Sequence, residues 1–471
     1  MQGSEVPRGE VVDRVLVAFA GEGAGEGELA FGQRGLWQSI ELAGTATVTH
    51  IVEADPGTTV DTVADMLGFM VGRHESLRTR LLLQDSGPPR QKVFTAGEIP
   101  LLVVAPGADD PAEVAEALTA HWKVAPFAYE TEWPVRIAAI VAGDSGSHTV
   151  THVVIVFLHT SIDGFGLAAL LADFRARDPE TGAPAGPVSA HPPLAQAAFE
   201  ASPAGRRQNE QSLRYLERVL HTAPTHQFGE PRYEGERHYT MLRYRSRAMN
   251  MAVHAITARD RLHESPALVA SFVVGVGRVA GVNPLLTMMM VSNRFRPGYA
   301  DSVSALIKVV PFALDVADLT MGEAVARVSG KALNAYRNAY YDAYEQDEVV
   351  SRVEGERGEE FDLSCYFNDR RRRDRVYAGA APTAAEIRAA LADSELSWKQ
   401  DAKIPKAKLH LCVDDPPDAV ELELSGDDRY FSRADLETLV RAMEEAAVQA
   451  ATDPQTPTGI SHPITADAVP R

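Results

Sequence analysis

Cysteine is nearly missing from this 471-residue chain, which has only Cys365 and Cys412. Two thiols exclude a disulfide framework and a cysteine-rich zinc or iron–sulfur site, and they suit a reducing, cytoplasmic setting. Positive charge is also scarce: 46 Lys and Arg stand against 65 Asp and Glu, a formal net charge of −19. Such a balance favours solubility and argues against nucleic acid as the main partner, because phosphate binding needs a positive surface. Long apolar runs are absent too. The longest, Ala267–Gly277, stops after 11 residues at Arg278, whereas a membrane helix needs ~20. The polar opening MQGSEVPRGEVVDR has no basic stretch leading into an apolar core, so no secretory signal is expected.

What is present is ordinary globular composition, 45% apolar and 24% charged, at a length suited to about two or three domains. Residues 1–28 show no apolar periodicity, and Gly21–Glu28 alternates glycine with small or acidic residues, so this stretch reads as a flexible N-terminal segment. Helix and strand signals then alternate. Val60, Val63, Met66, Leu67, Met70 and Val71 keep helical spacing, with Thr58 and Asp61 in capping-box register. Strands are expected at 77–83, 99–104, 135–141 and 149–158, with a helix at 111–122. The β-branched run TVTHVVIVFL leads into His159-Thr160-Ser161-Ile162-Asp163-Gly164, and a helix follows with Leu167, Leu170, Leu171 and Phe174 on one face. Residues 178–206, rich in Pro, Gly, Ala and Ser, read as a connector. The second half repeats the style, with strands at 238–244, 285–291, 306–314, 363–367, 408–413 and 419–424 and helices at 267–279, 321–341 and 433–450. The acidic segment 345–362 reads as a solvated helix end plus loop. Two α/β lobes result, 29–190 and 191–471.

Several apparent motifs dissolve under physical scrutiny. Gly143-Asp144-Ser145-Gly146 has the look of a serine nucleophile, yet it lies between strand signals and suits a hairpin turn. Gly275, Gly277 and Gly281 fall late in a helical pattern rather than between strand and helix. His148 and His152 share a strand, where that spacing separates them by ~13 Å, too far for one metal ion. The basic run Arg370–Arg373 reads as a solvated face or a partner contact. The sharp signal is the junction at 157–164. A histidine leaving a buried strand ahead of a glycine and a helix can be held rigidly, and its pKa range suits general-base work; the same placement also suits a structural histidine. Gly164 is expected to permit a turn that a side chain would forbid.

The string Leu158-His159-Thr160-Ser161-Ile162-Asp163-Gly164 resembles the HHxxxDG motif of nonribosomal peptide synthetase condensation domains, which share a superfamily with chloramphenicol acetyltransferase. Further pieces agree in chain order. Phe31–Trp37 resembles AQxRLW, and Arg73–Thr79 is similar to RHExLRT. Ser292-Asn293-Arg294 resembles the motif that carries the family's second-lobe arginine, and Tyr366-Phe367-Asn368 resembles a later strand with an asparagine beside the substrate tunnel. Two departures stand out: Leu158 replaces the first motif histidine, and Lys308 replaces the asparagine of the family's GFFVNTLP stretch.

The resemblance implies an α/β fold of two chloramphenicol-acetyltransferase-like lobes in a V-shaped pseudo-dimer, here as a free-standing condensation enzyme. His159 would be the catalytic base between two tunnels. Gly164 would lie close to the reacting carbonyl, and Asn368 would position the acceptor or polarise a carbonyl. Asp163 would be structural, clamped by Arg294 from the other lobe, and Gln33, Arg73, His74 and Arg78 would support the fold. The donor would be an acyl or aminoacyl thioester on the phosphopantetheine arm of a separate acyl or peptidyl carrier protein, and the acceptor an amine or alcohol, either a free small molecule or carrier-bound. No bound cofactor, metal, nucleic acid or membrane is implied. A coenzyme A-dependent acyltransferase of the same fold and a non-catalytic recruitment domain are the alternatives.

Overall fold

The structure, a computed structural model, describes residues 6–142, 149–371, 380–399 and 407–462. It divides into two compact units. The first takes the chain up to Asn209 together with Ser292–Lys308 and Tyr340–Tyr344, and the second takes the rest. The first unit therefore runs past the sequence-based boundary at 190 and recovers two later segments, one of which carries Arg294.

The first unit contains β1 (Glu10–Ala20), β2 (Gly25–Glu28), α1 (Phe31–Ala43), β3 (Thr47–Glu53), α2 (Val60–Arg73) and β4 (Thr79–Leu82). It continues with β5 (Arg90–Val93), β6 (Ala96–Ala105), α3 (Pro111–Val124), β7 (Val135–Val141), β8 (Val150–Leu158), α4 (Gly164–Arg175) and α5 (Pro193–Ala201). A five-stranded sheet of order β1-β6-β7-β8-β3 forms its centre, and β2-β5-β4 make a small second sheet. Alternation along the strands divides the core. Leu101, Val103, Ile137, Val153, Ile155 and Phe157 pack with apolar residues of α2 and α4 on one face. Leu102, Val104, Ala138, Ile140, Val154 and Val156 pack with Leu118 and Trp122 of α3 on the other. A strand covered on both faces reads as a continuous apolar run, as β8 does.

The second unit follows with α6 (Pro203–Thr222), whose first turns belong to the first unit, then β9 (Tyr239–Ser246), α7 (Arg247–Asp260), α8 (Ser265–Ala280) and β10 (Leu285–Val291). After these come β11 (Lys308–Leu314), α9 (Met321–Arg337), α10 (Ala343–Arg357), β12 (Cys365–Asp369), α11 (Ala384–Ala389), β13 (Glu395–Lys399), β14 (Leu409–Asp414), β15 (Val420–Asp427) and α12 (Arg433–Thr452). One seven-stranded mixed sheet, β11-β10-β12-β14-β15-β9-β13, carries it. Leu242, Tyr244, Phe367, Leu409, Leu411, Leu422 and Leu424 join the α7, α8 and α12 side chains in one core. Gly275 lets α8 approach α12, since a Cβ there would meet Met443 at 2.9 Å. That close helix contact, not a dinucleotide loop, is what the glycine serves.

Several local expectations are overturned. Within the expected flexible segment, residues 10–20 and 25–28 are paired strands: β1 pairs antiparallel with β6, Val17 opposite Ile99, and β2 pairs with β5. Val15, Val17 and Phe19 alternate inward, but Asp13 and Arg14 interrupt the pattern where the register shifts. The proposed strand at 77–83 begins as a 3-10 turn, Glu75–Arg78. The cap of α2 is Thr59, whose hydroxyl accepts from Thr62 N–H, rather than Thr58. The connector at 178–206 contains all of α5, because prolines at its N-cap and first position do not obstruct a helix start. The loop expected within 345–362 is mostly α10. The Gly143–Gly146 motif and His148 lie outside the described residues.

Candidate functional site

Strand β8 delivers Leu158 into the core at 3% exposure, beside Leu29 and Trp37. The backbone then turns: His159 N–H donates to Ala46 C=O (2.9 Å), and Ser161 N–H returns to Leu158 C=O (2.9 Å). The His159 ring is half-buried, with Nδ1 2.9 Å from the Ile162 carbonyl. A carbonyl oxygen only accepts, so Nδ1 carries the ring proton and the neutral ring keeps its lone pair on Nε2.

Four residues later, Asp163 caps α4 and is 1% exposed. Its Oδ1 accepts from Gly166 N–H at 2.8 Å, and its Oδ2 from Leu306 N–H at 2.9 Å and Ile307 N–H at 3.1 Å. Arg294 reaches both oxygens: Nη1 is 2.9 Å from Oδ2, and Nη2 is 2.9 Å from Oδ1. Arg294 Nη2 also donates to the carbonyls of Ser302 and Ser304 at 3.0 Å each. A carboxylate so fully engaged has no lone pair left for proton transfer; it ties the start of α4 to the 302–307 loop. Asp163 and Arg294, 131 positions apart, are thus brought together within one unit.

Gly164 corrects its sequence-based rationale. Its backbone is not in the left-handed region, and an added Cβ would meet nothing within 4 Å. The fold tolerates a side chain there, and the position is exposed. Gly166 is the constrained one, because its Cβ would meet Ser304 C=O at 2.9 Å.

Asn368 lies in the other unit, half-buried on β12 opposite Cys412 of β14. Its Nδ2 is 3.8 Å from Cys412 Sγ, which in turn is 3.6 Å from His410 Nε2. Burial raises the Cys412 thiol to about 11 and lowers His410 to about 4, so both are neutral at pH 7. His410 and Cys412 were not anticipated. Their i, i+2 spacing marks one strand face, but only the β12–β14 pairing sets that face beside Asn368.

The remaining sequence candidates carry structural contacts. Gln33 Oε1 accepts from Ala30 N–H at 2.9 Å. Arg73 and His74 both grip Asp173; against the upward push of burial, their hydrogen bonds hold that carboxyl well below the usual range. Buried Arg78 donates to the carbonyls of Gly23 (2.7 Å) and Phe94 (2.6 Å). Lys308, 4% exposed, points Nζ at Phe31 C=O (3.4 Å) and sits 4.8 Å from the Tyr341 ring centroid. Of the basic run, Arg370 pairs with Asp414 and Arg371 with Asp369 and Glu264, while 372–373 lie outside the described residues. Among the described residues, no cluster of three His, Cys, Asp or Glu could hold a metal ion, and no helix is long and apolar enough to cross a membrane.

Comparison with known proteins accords with this architecture. A family model described as the condensation domain matches residues 24–461. SgcC5 from Streptomyces globisporus superimposes with a TM-score of 0.62 at 17% identity, covering 91% of this chain and 100% of that one. The first condensation domain of the calcium-dependent antibiotic synthetase, in complex with a substrate analogue, gives 0.66 at 14% identity over 94% and 99%. The X-domain from teicoplanin biosynthesis gives 0.64 at 17% identity over 93% and 97%. No curated protein matches the sequence. With its family model spanning nearly all of its length, and a fold shared with solved condensation domains, the chain belongs to the condensation-domain family.

Proposed function

We propose that this protein is an acyltransferase that joins an acyl or aminoacyl thioester, held on the phosphopantetheine arm of a carrier protein, to an amine or alcohol. The observation that carries this reading is the His159 ring, fixed through Nδ1–H to Ile162 C=O and leaving Nε2 to accept a proton. As the acceptor nitrogen or oxygen attacks the thioester carbonyl, Nε2 takes its proton. The tetrahedral intermediate collapses, the C–S bond breaks, and the proton passes to the departing thiolate. An amide or ester and a free thiol result, with no acyl-enzyme and no ATP. The open space at Gly164 suits a carbonyl approaching the imidazole. The family resemblance assigns Asn368 of β12 to orienting the acceptor or polarising the carbonyl. Positioning the tethered donor against the acceptor supplies much of the rate, and the base contributes ~10²–10⁴.

The test is mass spectrometry of products from loaded carrier proteins, with acyl-coenzyme A as the competing donor, across a panel of amines and alcohols. His159→Ala is expected to lower turnover ~10²–10⁴-fold with the fold intact. Product from acyl-coenzyme A alone would reassign the donor. Unchanged turnover in His159→Ala, or binding without turnover by the native protein, would point to a recruitment domain, the role thinkable with Leu158 in the first-histidine position.

A further inference from the structure

We infer that Gln196, on α5, is a positioning residue for the His159 loop; this rests on the role proposed above for His159. Gln196 is fully buried. Its Nε2 donates to the His191 carbonyl at 2.7 Å, to Ser304 Oγ at 2.9 Å and to Ser302 Oγ at 3.1 Å. Because a carbonyl only accepts, the first contact settles which end of the amide points there. Its Oε1 has no partner among the described residues, so the carboxamide is held through Nε2 alone.

The two serines link this amide to the site. Their hydroxyls lie 2.8 Å apart, at 2% and 1% exposure, and their backbone carbonyls are the ones that receive Arg294 Nη2. Arg294 grips Asp163, which caps α4, and α4 begins two residues after Ile162, whose carbonyl holds the His159 ring. Packing reinforces the chain of bonds: Gly166, in the first turn of α4, lies so close to Ser304 C=O and Arg294 Nη2 that a Cβ would come within 2.9 and 3.0 Å of them. A displacement of the 302–304 loop is therefore transmitted to the first turn of α4 without slack. Gln196 holds this loop through Ser302 and Ser304, and its hydrogen bonds go to that loop and to the His191 carbonyl rather than to the imidazole. Small displacements of a catalytic group are costly, about 100-fold in rate for roughly 1 Å.

Gln196→Met keeps length and volume while removing the donor. With an acyl-pantetheine thioester and a simple amine as probes, kcat is expected to fall ~10–100-fold while KM stays within about twofold. Ser304→Ala, which removes only the hydroxyl and keeps the carbonyl for Arg294, is the milder variant if Gln196→Met fails to fold. It should lower kcat in the same sense, and the double variant should be no worse than Gln196→Met alone. A second readout is independent of turnover: NMR of ring-labelled histidine, with His159 identified by its loss in His159→Ala. In Gln196→Met the His159 Nδ1–H signal should broaden or shift. Wild-type kcat in a folded Gln196→Met or Ser304→Ala protein, a loss confined to KM, or an unchanged His159 signal would each overturn the inference. Unimpaired turnover in His159→Ala would instead sink the proposed function, leaving the NMR result to judge Gln196 by itself.

Discussion

Asp163 and Glu200 are two carboxylates of the same unit, at 1% and 5% exposure, and their hydrogen-bond partners differ in number and charge. Asp163 is gripped on both oxygens by a guanidinium and accepts from three backbone N–H groups. Glu200 accepts from Phe31 N–H at 2.9 Å and from the Tyr340 hydroxyl, with Arg34 and Lys308 acting through space. Burial outweighs those contacts and raises the Glu200 carboxyl to about 8. Depth alone does not decide whether a buried acid can carry charge; the number and charge of its donors do. The Asp163 arrangement ties the start of α4 to the 302–307 loop, while Glu200 supplies the cap that Ala30 cannot give to α1.

The comparison breaks most violently at Arg294. Arg294→Ala leaves the Asp163 charge buried without its counter-ion, and a loss of ~3–5 kcal/mol is expected, read as a lowered midpoint of thermal or urea unfolding. A loss below about 1 kcal/mol would mean that the backbone donors alone suffice for Asp163.

Glu200→Gln probes the other acid. Because its folded-state value of about 8 lies above the ordinary 4.5, the folded protein holds a proton there that the unfolded chain releases. Its contribution is complete below pH 4.5 and is lost as pH rises toward 8, with a slope of at most ~1.4 kcal/mol per pH unit. Thermal midpoints from pH 5 to 9 should show this decline in the wild type and a flatter profile in Glu200→Gln, which should be the more stable at pH 8. Parallel profiles would remove Glu200 as the titrating group.

Tyr340→Phe is the gentlest perturbation. It deletes one donor to Glu200 and is expected to cost ~1 kcal/mol in urea unfolding, with the pH decline of the wild type retained and displaced upward. A profile displaced downward would contradict the assigned direction of that hydrogen bond.

Much of the site was legible in the chain itself. The run into β8, the polar turn after Leu158 and the apolar face of α4 are all written between Val150 and Arg175, where strand alternation and helical spacing act. Other elements were misread because their local signals conflict. Asp13-Arg14 disguises β1, and the prolines that open α5 look like a connector. Gly164 was given a backbone reason where the structure shows an open space.

From sequence alone, the chain determined its strand alternation, its helix starts and a histidine set at the end of a buried strand, since each depends on neighbours a few residues away. Tertiary structure decided how Arg294 meets Asp163, a pair the family resemblance implied but no local pattern in the chain specifies, and it alone decided that Gln196 would brace the 302–304 loop and that Glu200 would cap a helix 169 positions earlier in the chain. Those contacts join segments with no shared local pattern. They exist because buried donors and acceptors must be satisfied by whatever the folded core brings within hydrogen-bonding reach.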